Sequence, residues 1–549
     1  VRWLSALLGV ALTLPAWAVP TEITAGTDLT GVLNSSGEYE LQDGAHTIAA
    51  NFTTAADVIV TATEGATLYI NSSVIFEYRD GFELRGVQVR MANDSELKTE
   101  AESGDTHVDG AVLSGNTFMT TGTITTNPQV RISQGFATYQ RNIDIEDNDF
   151  FGVEVYEEFA DATHIVGNRF FDFDTDGYPI RYWGSNHYIA RNFITGGQIG
   201  IGALGRHDLN AFRLPCTGNR IISNIVLNTS EEGISFDSLA NNGTWTVLRE
   251  YDTVATTPGS SVITLADGDW AAQTTYNSSR YDAVFTSGDL AGTRHKITTH
   301  SGASFTLSID GGDYALIQVG DGVSVQLSCY GNTIAHNVVM PTLASHRANV
   351  SGIVLHGIGI NNQIYNNVVY GETDGVGTGD NNFTYLAIRE ANLNSVNPAS
   401  GITGNQRRGP VGPNMIVSNR SLGGGMGANY RNYGAAGDYT PPESTYTDNS
   451  ELSADEITAW LALRSATTAD MLRPSADSPL CAAGTYIAGA RDFDDLPMGY
   501  PADICAFRCD KPGQSVDLGD WSTLWSGLMM GLAVLMGGSM LFRPWREAT

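Results

Sequence analysis

The sequence predicts an all-β solenoid, a single-stranded right-handed parallel β-helix with a small β-barrel or sandwich inserted into it. Three observations predict it. A short asparagine-centred phrase returns at the length of one coil. A cysteine-containing phrase occurs twice, 113 residues apart. The stretch between those two copies carries a strand rhythm of its own.

The asparagine phrase is a polar residue or glycine, Asn, then β-formers. It reads Gly115-Asn116-Thr117-Phe118, Asp147-Asn148-Asp149-Phe150, Gly167-Asn168-Arg169-Phe170 and Arg191-Asn192-Phe193-Ile194, and later Ser223-Asn224-Ile225-Val226, His336-Asn337-Val338-Val339 and Asn366-Asn367-Val368-Val369. Asn148, Asn168 and Asn192 are 20 and 24 residues apart, the length of one turn of a three-sided solenoid. In such a coil each short strand alternates apolar residues inward, and a corner asparagine ladders with its neighbours above and below. One coil cannot bury its apolar side alone, so several must stack. A β-sandwich would instead show strands every 8–12 residues joined by hairpin turns.

The phrases Cys216-x-Gly218-Asn219-x-Ile221-x-x-Asn224 and Cys329-x-Gly331-Asn332-x-Ile334-x-x-Asn337 match position for position. They read as corresponding parts of adjacent coils, separated by an insert over 243–327. Removing it leaves a coil of about 28 residues. Stacked coils would hold the two cysteines about 4.8 Å apart at Cα, inside the range a disulfide spans, so a Cys216–Cys329 bridge is expected. The insert's own strands are Ser261–Leu265, Arg294–Ile297, Ser304–Leu307 and Ser324–Leu327, with Gly-, Asp- and Ser-rich turns between them. The β-helix is thus expected over 19–242 and 328–509. Ser453-Ala454-Asp455-Glu456 is a capping box that opens a helix near 453–464, whose apolar residues are expected to cover the end of the solenoid.

Residues 1–18 read as a secretory signal, with Arg2, an apolar run and Ala16-Trp17-Ala18 as the cleavage phrase. A polar linker (510–523) leads to an apolar run at 524–542, near the minimum for a membrane span, and a basic end at 543–549 with Arg543 and Arg546. The expectation is a periplasmic or cell-surface protein anchored in the membrane by the C-terminal helix. Five cysteines suit an oxidising compartment; Cys481, Cys505 and Cys509 form at most one pair among themselves. The formal charge of −30 with three lysines, Lys98, Lys296 and Lys511, excludes the basic stripe a nucleic acid requires.

The phased Asn-x-Phe/Val and Asp-Gly-x-x-Ile units resemble the pectate-lyase-like superfamily of parallel β-helix repeat proteins. Leu472-Arg473-Pro474-Ser475-Ala476-Asp477-Ser478-Pro479-Leu480, followed by Ala502-Asp503-Ile504-Cys505-Ala506-Phe507, resembles the closing segment of many of them, with Cys505 where they carry glycine. The resemblance implies the fold; for activity it spans lyases, hydrolases, epimerases and non-enzymatic adhesins.

Enzymes of this kind work on an outer strip where side chains of successive coils align. Setting Val153-Glu154-Val155-Tyr156 over Ile180-Arg181-Tyr182-Trp183, then Ile234-Ser235-Phe236-Asp237 and Ile353-Val354-Leu355-His356, turns Glu154, Tyr156, Arg181, Trp183, Asp237 and His356 outward. Tyr156 and Trp183 suit stacking on sugar rings, while the charged groups suit proton chemistry or uronate binding. A second candidate cluster is Arg206-His207-Asp208 with Arg213. Asp172, Asp174 and Asp176 offer oxygen ligands for calcium, although solvated acids are the plainer reading, and no cofactor is required. Asp176-Gly177, Glu232-Gly233 and Asp374-Gly375 read as turn devices. The carboxyls of Glu154 and Asp237, three coils and about 14 Å apart, are too distant for hydrolysis, which wants about 5–10 Å. The leading expectation is a surface protein that binds, and cleaves or epimerises, an acidic polysaccharide. The alternative is a non-catalytic surface or adhesion protein.

Overall fold

The computed structural model describes residues 19–99, 108–122, 126–132, 140–157, 160–204 and 216–237, then segments of 249–472 and short stretches up to 507. The strands stack into parallel sheets. Sheet A has 13 strands, from Thr21–Ile23 to Thr445–Thr447. Sheet B has 12, from Gly44–Ile48 to Ser450–Glu451. Sheet C has 11, from Phe52–Thr53 to Gly425–Asn429. A narrower sheet D has six, from Gln140–Arg141 to Gly359–Ile360. Every neighbour within these sheets is parallel, and each coil visits A, then B, then C, with D filling the corner between C and A.

The bore is lined by columns of apolar residues. Ile145, Ile165, Ile189, Ile221, Ile334, Ile364 and Ile416 stack on sheet A, and Val155, Ile180, Ile201, Ile234 and Ile353 on sheet C, all buried. On sheet B, Phe118, Phe150 and Phe170 stack with ring centroids 4.9 and 4.7 Å apart.

The asparagines form the ladder between sheets A and B. Asn116, Asn148, Asn168, Asn192, Asn224, Asn337, Asn367, Asn419 and Asn449 each donate or accept along the stack at 2.8–3.1 Å. The residue before each Asn takes positive φ, as at Asp147 (55°) and Arg191 (58°), which explains why Gly, Asp and Asn recur there. Asn224 reaches Asn337 directly, at 3.0 Å, so the two cysteine phrases do lie on adjacent coils.

The insert is a closed barrel of six antiparallel-paired strands: Arg249–Thr256, Val262–Leu265, Ser304–Ser308, Arg294–Ser301, Asp282–Phe285 and Gly322–Gln326 in spatial order. It leaves the solenoid after Glu232–Asp237 and rejoins it at Cys329–Tyr330. Cys216 pairs in register with Cys329 and is disulfide-bonded to it, with Cα atoms 4.4 Å apart. Replacing both with serine should lower stability by about 2–5 kcal/mol. Thermal melts with and without reductant check this, and a wild type indifferent to reductant would contradict it. Cys481 is also in a disulfide, while Cys505 is a buried thiol.

One expectation changes. The capping box forms, with the Ser453 N–H donating to Glu456 Oε2 at 2.9 Å and the helix running Ala454–Ala462. Its Trp460 belongs to one apolar cluster with Leu452, Leu472, Leu480 and Ile504–Phe507, which also takes in Phe193, Ile225, Leu227, Val338 and Val368. Those residues are the outward face of sheet B, too apolar to meet water. Glu232-Gly233 is strand and not a turn: Gly200, Gly233 and Gly352 stack, and a Cβ on each would strike Val226, Val339 or Val369 of sheet B. The 1–18, 510–523, 524–542 and 543–549 segments lie outside the described residues, among which no helix is long and apolar enough to cross a membrane.

Candidate functional site

Outward positions on sheet C form one column. Glu77, Lys98, Arg131, Tyr156 and Arg181 occupy successive rungs, followed by Gly202, Ser235 and Val354. The lower half is paired within itself, Lys98 to Glu77 at 2.8 Å and Arg131 to Glu96 at 2.8 Å.

The upper half is different. Arg181 is 8% exposed, and its guanidinium carbon stands 4.6 Å from the Tyr156 ring centroid and 5.3 Å from that of Tyr178. Among the described residues its Nε and Nη2 have no hydrogen-bond partner, and neither does the buried Oγ of Ser235, two rungs on. Gly202 lies between them without a side chain. Unsatisfied buried donors of this kind are costly, and a planar guanidinium matches a carboxylate two bonds at a time.

Glu154 is 5% exposed and serves as scaffold. Its Oε1 accepts from Asn127 Nδ2 at 3.0 Å and the Tyr178 N–H at 2.9 Å, and its Oε2 from Gln129 Nε2 at 3.1 Å. Burial raises its pKa, opposed by those three donors and by Arg181. It thereby fixes the Asp174–Tyr178 segment, whose Tyr178 hydroxyl donates to Gln198 Oε1 at 2.6 Å; Gln198 in turn bonds Glu231.

The structure corrects the sequence alignment here. Val155, not Val153, lies beside Ile180, and Tyr156 lies beside Arg181. A strand at Ile199–Leu204 intervenes before Ile234. A two-residue slip keeps every side chain on its own face, so apolar alternation alone does not detect it. Tyr156 faces outward but lies between Arg131 and Arg181, a spacer for guanidinium groups and no open platform for a sugar. Trp183 is 2% exposed and belongs to the interior core, because the strand ends at Tyr182 and the chain turns the corner there. Asp237 pairs with Leu204 and His356 with Ala391, ending neighbouring strands; their side chains, like the whole of Arg206, His207, Asp208 and Arg213, lie outside the described residues.

Asp172, Asp174 and Asp176 are exposed. Asp174 Oδ1 accepts the Asp176 N–H at 3.0 Å, which closes a turn, and the three do not gather as a ligand set. Among the described residues that geometry is met by Asp144, Glu146 and His164, none of them a ligand expected from the sequence. The signal was present: His164 follows Asp144 by 20 residues, as Asn168 follows Asn148.

Fold and strip together define a right-handed parallel β-helix protein, nearly all β, with a buried arginine set on its outer face. No family model matches the chain, nor does any curated protein. Among solved structures, it is similar to the A-module of the mannuronan C-5 epimerase AlgE4 of Azotobacter vinelandii, at 10% identity and TM-score 0.41, over 77% of this chain and 87% of that one. The periplasmic alginate epimerase AlgG shows 9% identity and TM-score 0.37, over 79% and 77%. The Dettilon tailspike protein shows 13% and 0.28, over 76% of this chain and 63% of its own length.

Proposed function

We propose that the protein binds an acidic polysaccharide along sheet C, with Arg181 receiving a sugar carboxylate. One observation carries the reading: the Arg181–Gly202–Ser235 run joins a guanidinium with unpartnered Nε and Nη2 to an unpartnered hydroxyl across a rung that has no side chain. A uronate carboxylate supplies the missing acceptors. A guanidinium on that carboxylate neutralises its charge, a requirement that elimination and epimerisation of a uronate share with binding alone. Glu154 and Asp237 do not form a hydrolytic pair, since Glu154 holds three donors and stands three rungs, about 14 Å, from the Asp237 strand. The disulfides fit an exported protein acting in an oxidising compartment.

A second reading, a non-catalytic surface or adhesion protein, is favoured by the internal pairing of Lys98 and Arg131, which leaves the lower strip without free charge.

The test is binding to a panel of polyuronates and a neutral glucan, with the ultraviolet absorbance of an unsaturated uronate and the proton spectrum of the polymer followed in parallel. Arg181→Ala should weaken polyuronate binding by at least about thirtyfold, the loss of a buried charge pair worth about 2 kcal/mol or more. Equal affinity for the neutral glucan, or an unaffected Arg181→Ala, would exclude the assignment. Binding without change to the polymer would leave the adhesion reading standing in place of the enzymatic one.

A further inference from the structure

Sheet A carries a second cluster, on a different face from the Arg181 site. Asp144 and His164 are paired across neighbouring strands, Asp144–Glu146 and His164–Val166. Glu146 lies two residues beyond Asp144, so all three side chains leave the same face. One ligand-capable atom from each falls within 4.8 Å of the others. His164 Nδ1 stands 3.0 Å from Asp144 Oδ1. Around a tetrahedral zinc with bonds of about 2.0–2.1 Å, neighbouring ligand atoms stand about 3.3 Å apart, so this pair is already close to the required spacing.

The rungs are held rigidly. Asn148 and Asn168, just beyond each strand, are bonded at 2.9 Å, and the His164 ring meets Tyr188 edge-on with centroids 6.1 Å apart. Asp144 is only 8% exposed, unlike a solvated acid, while the His164 side chain at 39% leaves a path for an ion.

We infer that Asp144, Glu146 and His164 bind a divalent transition cation of the zinc type, leaving a coordination position open on the outer face of sheet A. The donor set selects the ion: two carboxylate oxygens with an imidazole nitrogen suit zinc, whereas calcium and magnesium take oxygen alone. The site is independent of Arg181.

Calorimetric titration of the full chain, stripped with chelator, with zinc chloride and separately with calcium chloride tests it. One zinc per chain is expected, bound more tightly than calcium. His164→Gln and Asp144→Asn should each weaken zinc binding at least about tenfold, no less than losing an outer-sphere partner costs, whereas Asp174→Asn should not. The cobalt-loaded chain provides a readout separate from affinity, a visible spectrum that changes in His164→Gln. Absence of zinc binding, calcium bound in preference, or a zinc affinity and cobalt spectrum unmoved by both ligand variants would overturn the assignment. The melting temperatures of the metal-free variants confirm that each is folded.

Discussion

Asn192→Ala is expected to destabilise the solenoid by about 4 kcal/mol or more, the largest effect of any single substitution considered. Asn192 is fully buried in the middle of the ladder. Its Nδ2 donates to Ile165 O at 2.8 Å and Asn224 Oδ1 at 2.9 Å, and its Oδ1 accepts from the Asn168 N–H at 3.0 Å and Asn168 Nδ2 at 3.1 Å. Alanine removes four hydrogen bonds in a site closed to water, at about 1 kcal/mol each; the Asn168 N–H loses its acceptor, while Asn224 Oδ1 keeps the residue-192 N–H and Asn168 Nδ2 keeps Ile145 O. Asn449, at the half-buried end of the same ladder, is the comparator: water can replace its bonds, and Asn449→Ala should cost about 1 kcal/mol. Because stacked coils are coupled mainly to their neighbours, hydrogen exchange around 160–200 should open first. Equal destabilisation by the two variants would remove the ladder as a source of stability.

The second large effect is a dependence of stability on pH set inside the bore. Glu157 and His187 are both fully buried, with His187 Nδ1 3.2 Å from Glu157 Oε1. Burial, with Asp161 nearby, raises Glu157 from 4.5 to about 8. Burial, with His164 adding, lowers His187 from 6.5 to about 3. Both groups are therefore neutral in the fold, and the phenols of Tyr78 and Tyr182, which also face Glu157, are pushed up. The raised carboxyl contributes stability that is complete below pH 4.5 and is lost as pH rises toward 8. The depressed imidazole contributes stability that is complete above 6.5 and is lost as pH falls toward 3.

Between pH 4.5 and 6.5 the two slopes oppose each other and cancel. Above 6.5 the carboxyl acts alone, so raising pH to 8 should remove about 2 kcal/mol, and acidification from 4.5 to 3 a similar amount. Denaturant midpoints across this range check the profile. Glu157→Gln should flatten the alkaline arm relative to wild type. His187→Asn should flatten the acid arm, and it should be tolerated well, because His187 occupies a rung below Asn219, Asn332 and Asn362, a second stack of asparagines: the Thr163 N–H donates to its Nδ1 at 3.3 Å, and its own N–H donates to Asn219 Oδ1 at 2.9 Å. An alkaline arm unchanged by Glu157→Gln would show that the carboxyl does not hold its proton.

Much of the architecture was readable before any coordinates. The spacing of Asn148, Asn168 and Asn192 specified stacked coils, because a buried amide that recurs once per turn can be satisfied only by its copies above and below. The matched cysteine phrases located both the interruption and the bridge. The chemistry was less legible. Arg181 reads as outward-facing, yet apolar alternation puts its neighbours in a register two residues out, and the Ile199–Leu204 strand is inconspicuous because its rung beside Arg181 is Gly202, which carries no charge to notice. That empty rung gives the Arg181 site its room.

What the sequence by itself determined is whatever repeats with the coil: the sheets, the asparagine ladder, the apolar bore, the inserted barrel and the disulfide at its root. Each is written locally and satisfied by an identical neighbour. Only the tertiary structure decided how long each corner runs. Alternation with period two is blind to slips of two residues, so corner lengths set which outward side chains meet. They place Tyr156 between two arginines, turn Trp183 inward, and bring Asp144, Glu146 and His164 together. The closing segment likewise packs on the apolar outward face of sheet B, a contact that no local pattern specifies.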